Sequence, residues 1–183
     1  MTRLYIWERP DWPRFTYESG SLLAPLALAR QAQGRLLEAM GQIGFEQRRA
    51  ALLETLTTDA VETSKIEGEL LNYDAVRSSV AVRLGIPIGG PAQVDARSEG
   101  IAAMTLDATE NFDEPLTAQR LFAWHRDLFP NCRELVTGQW RSGPVGVYRY
   151  ARVDAPPVEE YFGPPADRVP AEMSSFLAWF NEP

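Results

Sequence analysis

Six consecutive residues, Thr63-Ser64-Lys65-Ile66-Glu67-Gly68, combine two hydroxyls, a cation, a carboxylate and a glycine. Thr63 and Glu67 are four residues apart, so on a helix their side chains lie over one another. Gly68 can adopt the left-handed backbone that ends helices, and we therefore expect Glu67 to be presented at a helix end. The pattern indicates a regulatory carboxylate. The alternative is an ordinary surface glutamate in front of a C-terminal cap.

A second candidate site lies where the hydrophobic period changes from helical to two, between Gly138 and Val153. Apolar residues alternate with others across this segment, which predicts a short exposed β-hairpin. An exposed strand edge could accept an extended peptide by strand addition. The candidate contact residues are Val145, Gly146, Val147 and Tyr148. A hairpin with no binding role is the alternative.

Other chemistries have little support in the sequence. The chain has one histidine and one cysteine, so no clustered ligand set for zinc or iron is expected. His125 falls on the apolar stripe of its helix, which favours a packed, hydrogen-bonded histidine over a general base. Glu159 and Glu160 lie in a proline-rich stretch, where we expect solvated charge. Nucleophile-elbow, Walker and dinucleotide-binding motifs do not occur.

The elements that must position these residues are mostly helical. Helix caps are predicted at Ser21, Asn72 and Thr117, and a further helix is expected from about Asp95. The first helix should bury an apolar face that includes Leu22, Leu26, Leu36 and Leu37. The aromatic, proline-punctuated segment 5–17 cannot form a regular helix, and we expect an extended arm packed on the helices.

The last part of the chain should form a proline-rich connector over 155–165 and then a helix. The helix carries apolar residues at three- and four-residue steps, namely Val169, Met173, Phe176, Leu177 and Phe180. The fold class is therefore mostly α, a helical bundle with one short β-hairpin. The pair Arg48-Arg49 is expected to form a solvated helix face.

Composition sets limits on compartment and partners. The formal net charge of −7 makes nucleic acid an unfavourable partner, since binding a polyanion needs a cationic surface. Apolar runs are shorter than the ~20 residues that a membrane span needs. A single cysteine, Cys132, excludes an internal disulfide, so the reducing cytoplasm is the expected compartment.

Taken together, these residues resemble the Fic family of protein adenylyltransferases. The resemblance to the helical domain that precedes the Fic core rests on Trp7-Glu8-Arg9-Pro10-Asp11-Trp12-Pro13, on Thr63 to Glu69 and on Val76-Arg77-Ser78-Ser79-Val80. The resemblance to the first part of the core rests on Pro115-Leu116-Thr117, Leu121 to His125, Leu128-Phe129-Pro130 and Gly138-Gln139-Trp140-Arg141. The implied boundary divides a regulatory domain, 1–112, from the beginning of the core, 113–183.

The resemblance implies roles for both candidate sites. Thr63, Ser64, Glu67 and Gly68 match the family's inhibitory motif, whose glutamate pairs with an arginine that would otherwise hold the γ-phosphate of ATP. A carboxylate and a phosphate compete for that guanidinium. The hairpin corresponds to the flap that aligns the target protein. ATP and Mg²⁺ are the implied substrate and cation.

The family's catalytic motif, His-Pro-Phe-x-x-Gly-Asn-Gly-Arg, is missing, so no catalytic role is given to any residue here. We expect this chain to be the first portion of a self-inhibited adenylyltransferase, inactive alone, with an incomplete core. Two alternatives stay open. One is a helical interaction or regulatory module without activity of its own, which docks onto a partner or another copy of itself through an exposed apolar face around Met173, Phe176 and Phe180. The other is a Fic relative that uses another nucleotide donor.

Overall fold

The computed structural model describes residues 4–89, 94–133, 135–150 and 156–182. Its elements in chain order are α1 (Ser19–Gln42), α2 (Phe45–Ile66), α3 (Tyr73–Arg83), α4 (Ala96–Glu110), α5 (Ala118–Leu128), β1 (Gly146–Arg149), β2 (Val158–Phe162) and α6 (Val169–Phe180), with short 3-10 helices at Ile6–Glu8 and Ala166–Arg168. The predicted fold class, mostly α with one β-hairpin, is confirmed.

The chain divides into two compact units. The first comprises the residues up to Gly34 together with Trp140–Trp179, and the second comprises Arg35–Gln139 together with the residues from Phe180 onward. Each unit contains residues from before and after the domain boundary that was predicted near residue 112. That boundary was assigned by family resemblance, which these units do not test, and it stays a prediction.

The hydrophobic core of the second unit lies among α2, α3 and α4. Its most deeply buried members come from all three helices and include Leu53, Leu56, Val76, Val80 and Ala102. Helix α5 packs on α4 at Gly100, where a Cβ atom would lie 1.8 Å from the backbone oxygen of Asp127. Only glycine allows the two backbones to approach this closely.

Three predicted helix starts are confirmed by their side-chain caps. The Asn72 side chain accepts a hydrogen bond from the Ala75 N–H, and Asp95 accepts from the N–H groups of Arg97 and Ser98. Thr117 accepts from the Arg120 N–H. The prediction for Ser21 is wrong, because α1 begins two residues earlier and the Ser21 hydroxyl donates to the Glu18 carbonyl. Pro25 consequently lies in the second turn of α1.

The expected buried face of α1 is also wrong, since this helix has no buried residue among the described side chains. Leu26, Leu36 and Leu37 are 55%, 62% and 65% exposed. Burial depends on which elements meet in three dimensions, and an amphipathic period within one helix does not contain that information. The apolar face exists, but the core forms elsewhere.

Arg48 and Arg49 do more than form the predicted solvated helix face, because each side chain caps the C-terminal end of a helix. Arg48 donates to the carbonyls of Gly41 and Ile43, where α1 ends, at 2.8 and 3.0 Å. Arg49 donates to the carbonyls of Leu84 and Gly85, after α3, at 2.9 and 2.8 Å. Guanidinium groups satisfy the unpaired carbonyls of a helix C-terminus and complement its negative dipole.

Candidate functional site

The candidate inhibitory segment forms the C-terminal end of α2. The Gly68 N–H donates to the Lys65 carbonyl at 3.0 Å, and the Glu69 N–H donates to the Ser64 carbonyl at 2.9 Å. These two bonds form a Schellman motif, and Gly68 takes the left-handed conformation that it requires, with φ of 81°. The predicted helix end at Gly68 is therefore confirmed. Its backbone is fixed by hydrogen bonds on both sides of Glu67.

Glu67 is the C-cap residue, and its side chain is exposed. Among the described residues, its carboxylate has no hydrogen bond or ion pair. Lys65, the cation of the segment, is paired instead with Glu62 at 3.3 Å. A carboxylate at a helix C-terminus faces the negative end of the helix dipole, so this position does not stabilise it. Glu67 thus presents an exposed carboxylate on a backbone that is held by hydrogen bonds.

Glu69, the residue after Gly68, is also held by a side-chain contact. The Glu69 carboxylate forms an ion pair with Arg97, in the first turn of α4. Both residues line an open cleft of about 510 Å³, whose apolar part comes from the end of α5 and the loop after it, including Leu128, Phe129 and Cys132. Hydrogen bonds from Ser98, first its hydroxyl and then its backbone N–H, lower the pKa of Asp95 at the same cleft. The Glu69–Arg97 ion pair therefore attaches the residue that follows the candidate motif to the start of α4.

The predicted hairpin exists, but its second strand was assigned wrongly. β1 pairs with β2 in antiparallel register, with Gly146 opposite Phe162 and Arg149 opposite Val158, and one irregularity follows Val147. β2 therefore comes from the stretch predicted as a proline-rich connector. The residues 151–153 of the predicted hairpin lie outside the described ranges. Val145, Val147 and Tyr148 are exposed, and Gly146 is half-buried.

Glu159 and Glu160, expected in a solvated loop, lie on β2 and have partners. Glu160 pairs with Arg149 of β1 at 2.7 Å, and Glu159 accepts a hydrogen bond from the hydroxyl of Tyr5. The Arg149–Glu160 pair joins the two strands on one face. Opposite charges across an antiparallel pair stabilise the hairpin modestly, by about 0.2–1 kcal/mol.

The N-terminal arm packs against this hairpin and against α6. Tyr5 meets the edge of Tyr161 with ring centroids 5.5 Å apart, and the indole N–H of Trp7 donates to the Phe162 carbonyl at 2.7 Å. The indole N–H of Trp12 donates to Glu172 of α6 at 3.1 Å, the main cause of the lowered pKa of Glu172. The sequence predicted an arm packed on helices, and its contact with a strand was missed because β2 itself was missed.

His125 behaves as predicted, since it is half-buried and hydrogen-bonded. Its Nδ1 accepts from the Gly138 N–H at 3.3 Å, and its ring meets the edge of Phe129. Among the residues that the structure describes, no three His, Cys, Asp or Glu side chains come together as a possible metal site. No helix in the described part of the chain is long and apolar enough to cross a membrane.

Comparisons with known proteins support the fold. Residues 5–86, which include the candidate inhibitory segment, match the model of a domain of unknown function, DUF4172. A crystal structure of a Fic family protein from Desulfovibrio desulfuricans G20 is similar over 91% of this chain and 46% of its own, with 27% sequence identity and a TM-score of 0.55. The chain thus spans less than half of that solved protein. No functionally curated protein matches. The chain has a Fic-like fold.

Proposed function

We propose that this chain is the N-terminal portion of a self-inhibited protein adenylyltransferase, in which Glu67 restrains productive binding of ATP. The whole enzyme would transfer AMP from ATP to a hydroxyl group of a target protein: the hydroxyl oxygen bonds to the α-phosphorus and loses its proton, and pyrophosphate leaves. The proposal rests on the Fic-like neighbour and, for regulation, on one observation in this chain. Glu67 is held at a capped helix end with its carboxylate exposed and, among the described residues, unpaired.

The physical basis is competition for one cation. An arginine that binds the γ-phosphate of ATP cannot give the same guanidinium fork to a carboxylate. The Schellman motif at Ser64–Glu69 fixes the backbone on both sides of Glu67, so binding of its carboxylate orders the side chain but not the backbone. The proposal places that arginine outside this chain, within the family's catalytic motif, which the sequence lacks.

Among the described residues, no three Asp, Glu, His or Cys side chains come together as a possible metal site. The proposal places the protein ligands of the Mg²⁺ used with ATP in the family's catalytic motif, outside this chain. Thr63 and Ser64 belong to the candidate motif, with Thr63 exposed and Ser64 half-buried. Their proposed contribution is to the helix end: Ser64 supplies the carbonyl that accepts from Glu69, and Thr63 lies one turn before Glu67.

The test uses the protein extended to include the catalytic segment. Purified Glu67→Gly protein is incubated with ATP labelled at the α-phosphate and with Mg²⁺, and self-labelling is compared with that of the unchanged sequence. We expect at least tenfold faster labelling in the variant. Parallel reactions with labelled GTP, CTP and UTP identify the donor, and preference for one of those would replace ATP in the proposal.

Glu62→Gln is the matched control. Glu62 is an exposed acidic residue of the same helix, five positions before Glu67, and it is paired with Lys65. Its substitution should leave the labelling rate unchanged. Equal rates for Glu67→Gly and the unchanged sequence would refute the role of Glu67, whereas no labelling in any variant would count against the transferase itself.

A second candidate function is a helical interaction module, which the exposed apolar side chains of α6 favour. Phe176, Trp179 and Phe180 are 38%, 66% and 53% exposed. Apolar groups grouped on one surface commonly mark protein contacts. Light scattering of the isolated chain distinguishes the two: a dimer that Trp179→Ser returns to a monomer supports the module, and a monomer at all concentrations rejects it.

A further inference from the structure

The last turns of α2, which carry the candidate inhibitory motif, are held by little packing. The buried residues of α2 end at Ala60. Ile66 and Leu70, the apolar residues nearest to Glu67 in the sequence, are 81% and 83% exposed. A helix end that buries few apolar groups opens locally at a small cost in free energy. The position of Glu67 therefore depends on the polar contacts around it.

One of these polar contacts joins the end of α2 to another helix. Among the described residues, two ion pairs involve side chains of the segment 62–70. The pair between Lys65 and Glu62 lies within α2 itself. The other pair joins the Glu69 carboxylate to the Arg97 guanidinium of α4. It is the ion pair that can restrain this segment from outside α2.

Glu69 is also part of the backbone motif that surrounds Glu67. Its N–H donates to the Ser64 carbonyl at 2.9 Å, which is one of the two hydrogen bonds of the Schellman motif. The side chain of Glu69 thus holds α4 while its backbone closes the end of α2. Loss of the side-chain contact would leave the end of α2 to its own backbone hydrogen bonds.

Arg97 stands on a firm support. The Asp95 side chain caps α4 by accepting from the Arg97 and Ser98 N–H groups at 3.0 and 2.9 Å. Ser98 and Ala102, in the first two turns of α4, have no exposed surface. The start of α4 is therefore fixed by its cap and by burial, so the ion pair restrains the less well packed partner, the end of α2.

We propose that Arg97 is a positioning residue for the inhibitory carboxylate. Through Glu69 it keeps the end of α2 closed, so that Glu67 stays where it can compete for the arginine that binds the γ-phosphate of ATP. Both side chains of the pair are about half exposed, so its strength is modest and falls with salt. The inhibitory part rests on the proposed function, whereas the hold of Arg97 on the end of α2 does not.

The hold on α2 is tested in this chain by amide hydrogen exchange, followed by ¹⁵N NMR. Arg97→Gln should speed exchange of the Gly68 and Glu69 amides about two- to fivefold, the range expected for a half-exposed ion pair. Arg83→Gln is the matched control. Arg83 pairs with Glu99 of the same helix α4 at 3.2 Å and is also partly exposed, so its substitution should leave both amides unchanged.

Exchanging the two charges separates the ion pair from other effects of the substitutions. Arg97→Glu and Glu69→Arg each place like charges together and should speed exchange at Gly68. The double variant forms a reversed ion pair and should return the rate to within about twofold of the original. Equal exchange in Arg97→Gln and Arg83→Gln, or a double variant no slower than the single ones, would overturn the proposal.

The inhibitory part is tested in the protein extended to include the catalytic segment. Arg97→Gln should raise self-labelling about two- to fivefold. It should add nothing in the Glu67→Gly background, where no inhibitory carboxylate is left to position. A rise of the same size in both backgrounds would overturn the positioning role, since a general effect on the fold does not need Glu67.

Failure of this proposal and failure of the proposed function give different results. If Glu67→Gly alone gave no rise in labelling, the proposed function and the inhibitory part of this proposal would fail together. The exchange rates of this chain do not depend on AMP transfer, so they would still decide whether Arg97 holds the end of α2.

Discussion

Asn181 satisfies both backbone groups of Leu116. Its Oδ1 accepts from the Leu116 N–H at 2.8 Å, and its Nδ2 donates to the Leu116 carbonyl at 2.9 Å. Leu116 is buried and directly precedes Thr117, the N-cap of α5. A residue near the end of the sequence thus orders the entry to a helix that begins about sixty positions earlier.

Asn181→Ala should lower the free energy of unfolding by about 1–3 kcal/mol, because it leaves both groups of a buried residue without partners. Urea denaturation followed by circular dichroism measures the change. Asn131→Ala provides the control, since Asn131 is exposed in the loop after α5 and should stay within about 0.5 kcal/mol of the original. Equal stability of the two variants would contradict the importance of the Leu116 contact.

At the end of α2, two neighbouring substitutions should act in opposite directions. Glu67→Gln should preserve stability or raise it by about 0.3–1 kcal/mol, because it removes a negative charge from the negative end of the helix dipole. Gly68→Ala should lower it by about 1–2 kcal/mol, since φ of 81° is strained for any residue with a Cβ. Thermal unfolding of both variants measures this. A loss on Glu67→Gln would mean that its carboxylate stabilises the fold.

Gly100→Ala should lower the free energy of unfolding by about 1–3 kcal/mol or more, because its Cβ would overlap the Asp127 carbonyl where α4 packs on α5. Gly34→Ala is the matched variant within a helix. A Cβ at Gly34 meets no atom within 4 Å, so the same change there should stabilise by about 0.5–1 kcal/mol. Chemical denaturation should separate the two variants clearly. If Gly100→Ala were tolerated, α4 and α5 could not be as close as described.

Stability should fall in acid partly through Asp107. Its carboxylate accepts from Arg120 Nε and from the Trp124 indole N–H, both at 2.7 Å. The Arg120 hydrogen bond is the main cause that lowers the pKa of Asp107. A lowered pKa in the folded state means that the contribution is complete above the ordinary aspartate value of about 3.9 and is lost as pH falls through the lowered one.

Asp107→Asn should therefore reduce stability near neutral pH and flatten its decline as pH falls below the ordinary aspartate pKa of about 3.9. Unfolding curves at a series of pH values give the slope. Asp113→Asn, at an exposed position beyond α4, should leave that slope unchanged. A decline that is equally steep with and without the Asp107 carboxylate would exclude this pair as a source of acid sensitivity.

Features that depend on a few consecutive residues could be predicted from the sequence. Asn72 and Thr117 cap their helices through bonds to residues three positions on, and Gly68 ends α2 by its own backbone conformation. In each case the residue type and a short spacing determine the interaction. The exposed end of α2 with its carboxylate was predictable for this reason.

Features that depend on distant partners could not be predicted. β2 lies in a proline-rich stretch, a pattern that predicts a connector. Only its pairing with β1 identifies it as a strand. Arg49 caps α3 from α2, 35 positions away, and Trp7 contacts Phe162 across 155 positions. No periodicity marks such contacts. For the same reason, the spacing of the leucines in α1 predicted a buried face on that helix, whereas the described core lies among α2, α3 and α4.

The cleft beside the end of α2 can carry a fluorescent label on a side chain that the native sequence already has. Cys132 lines it, is exposed, and is the chain's single cysteine. A thiol-reactive fluorophore would therefore label one position without any mutation of the native sequence. Its emission would follow the surroundings of Glu69 and Arg97 in real time, so that movement of the segment carrying Glu67 becomes an optical signal in an otherwise unmodified protein.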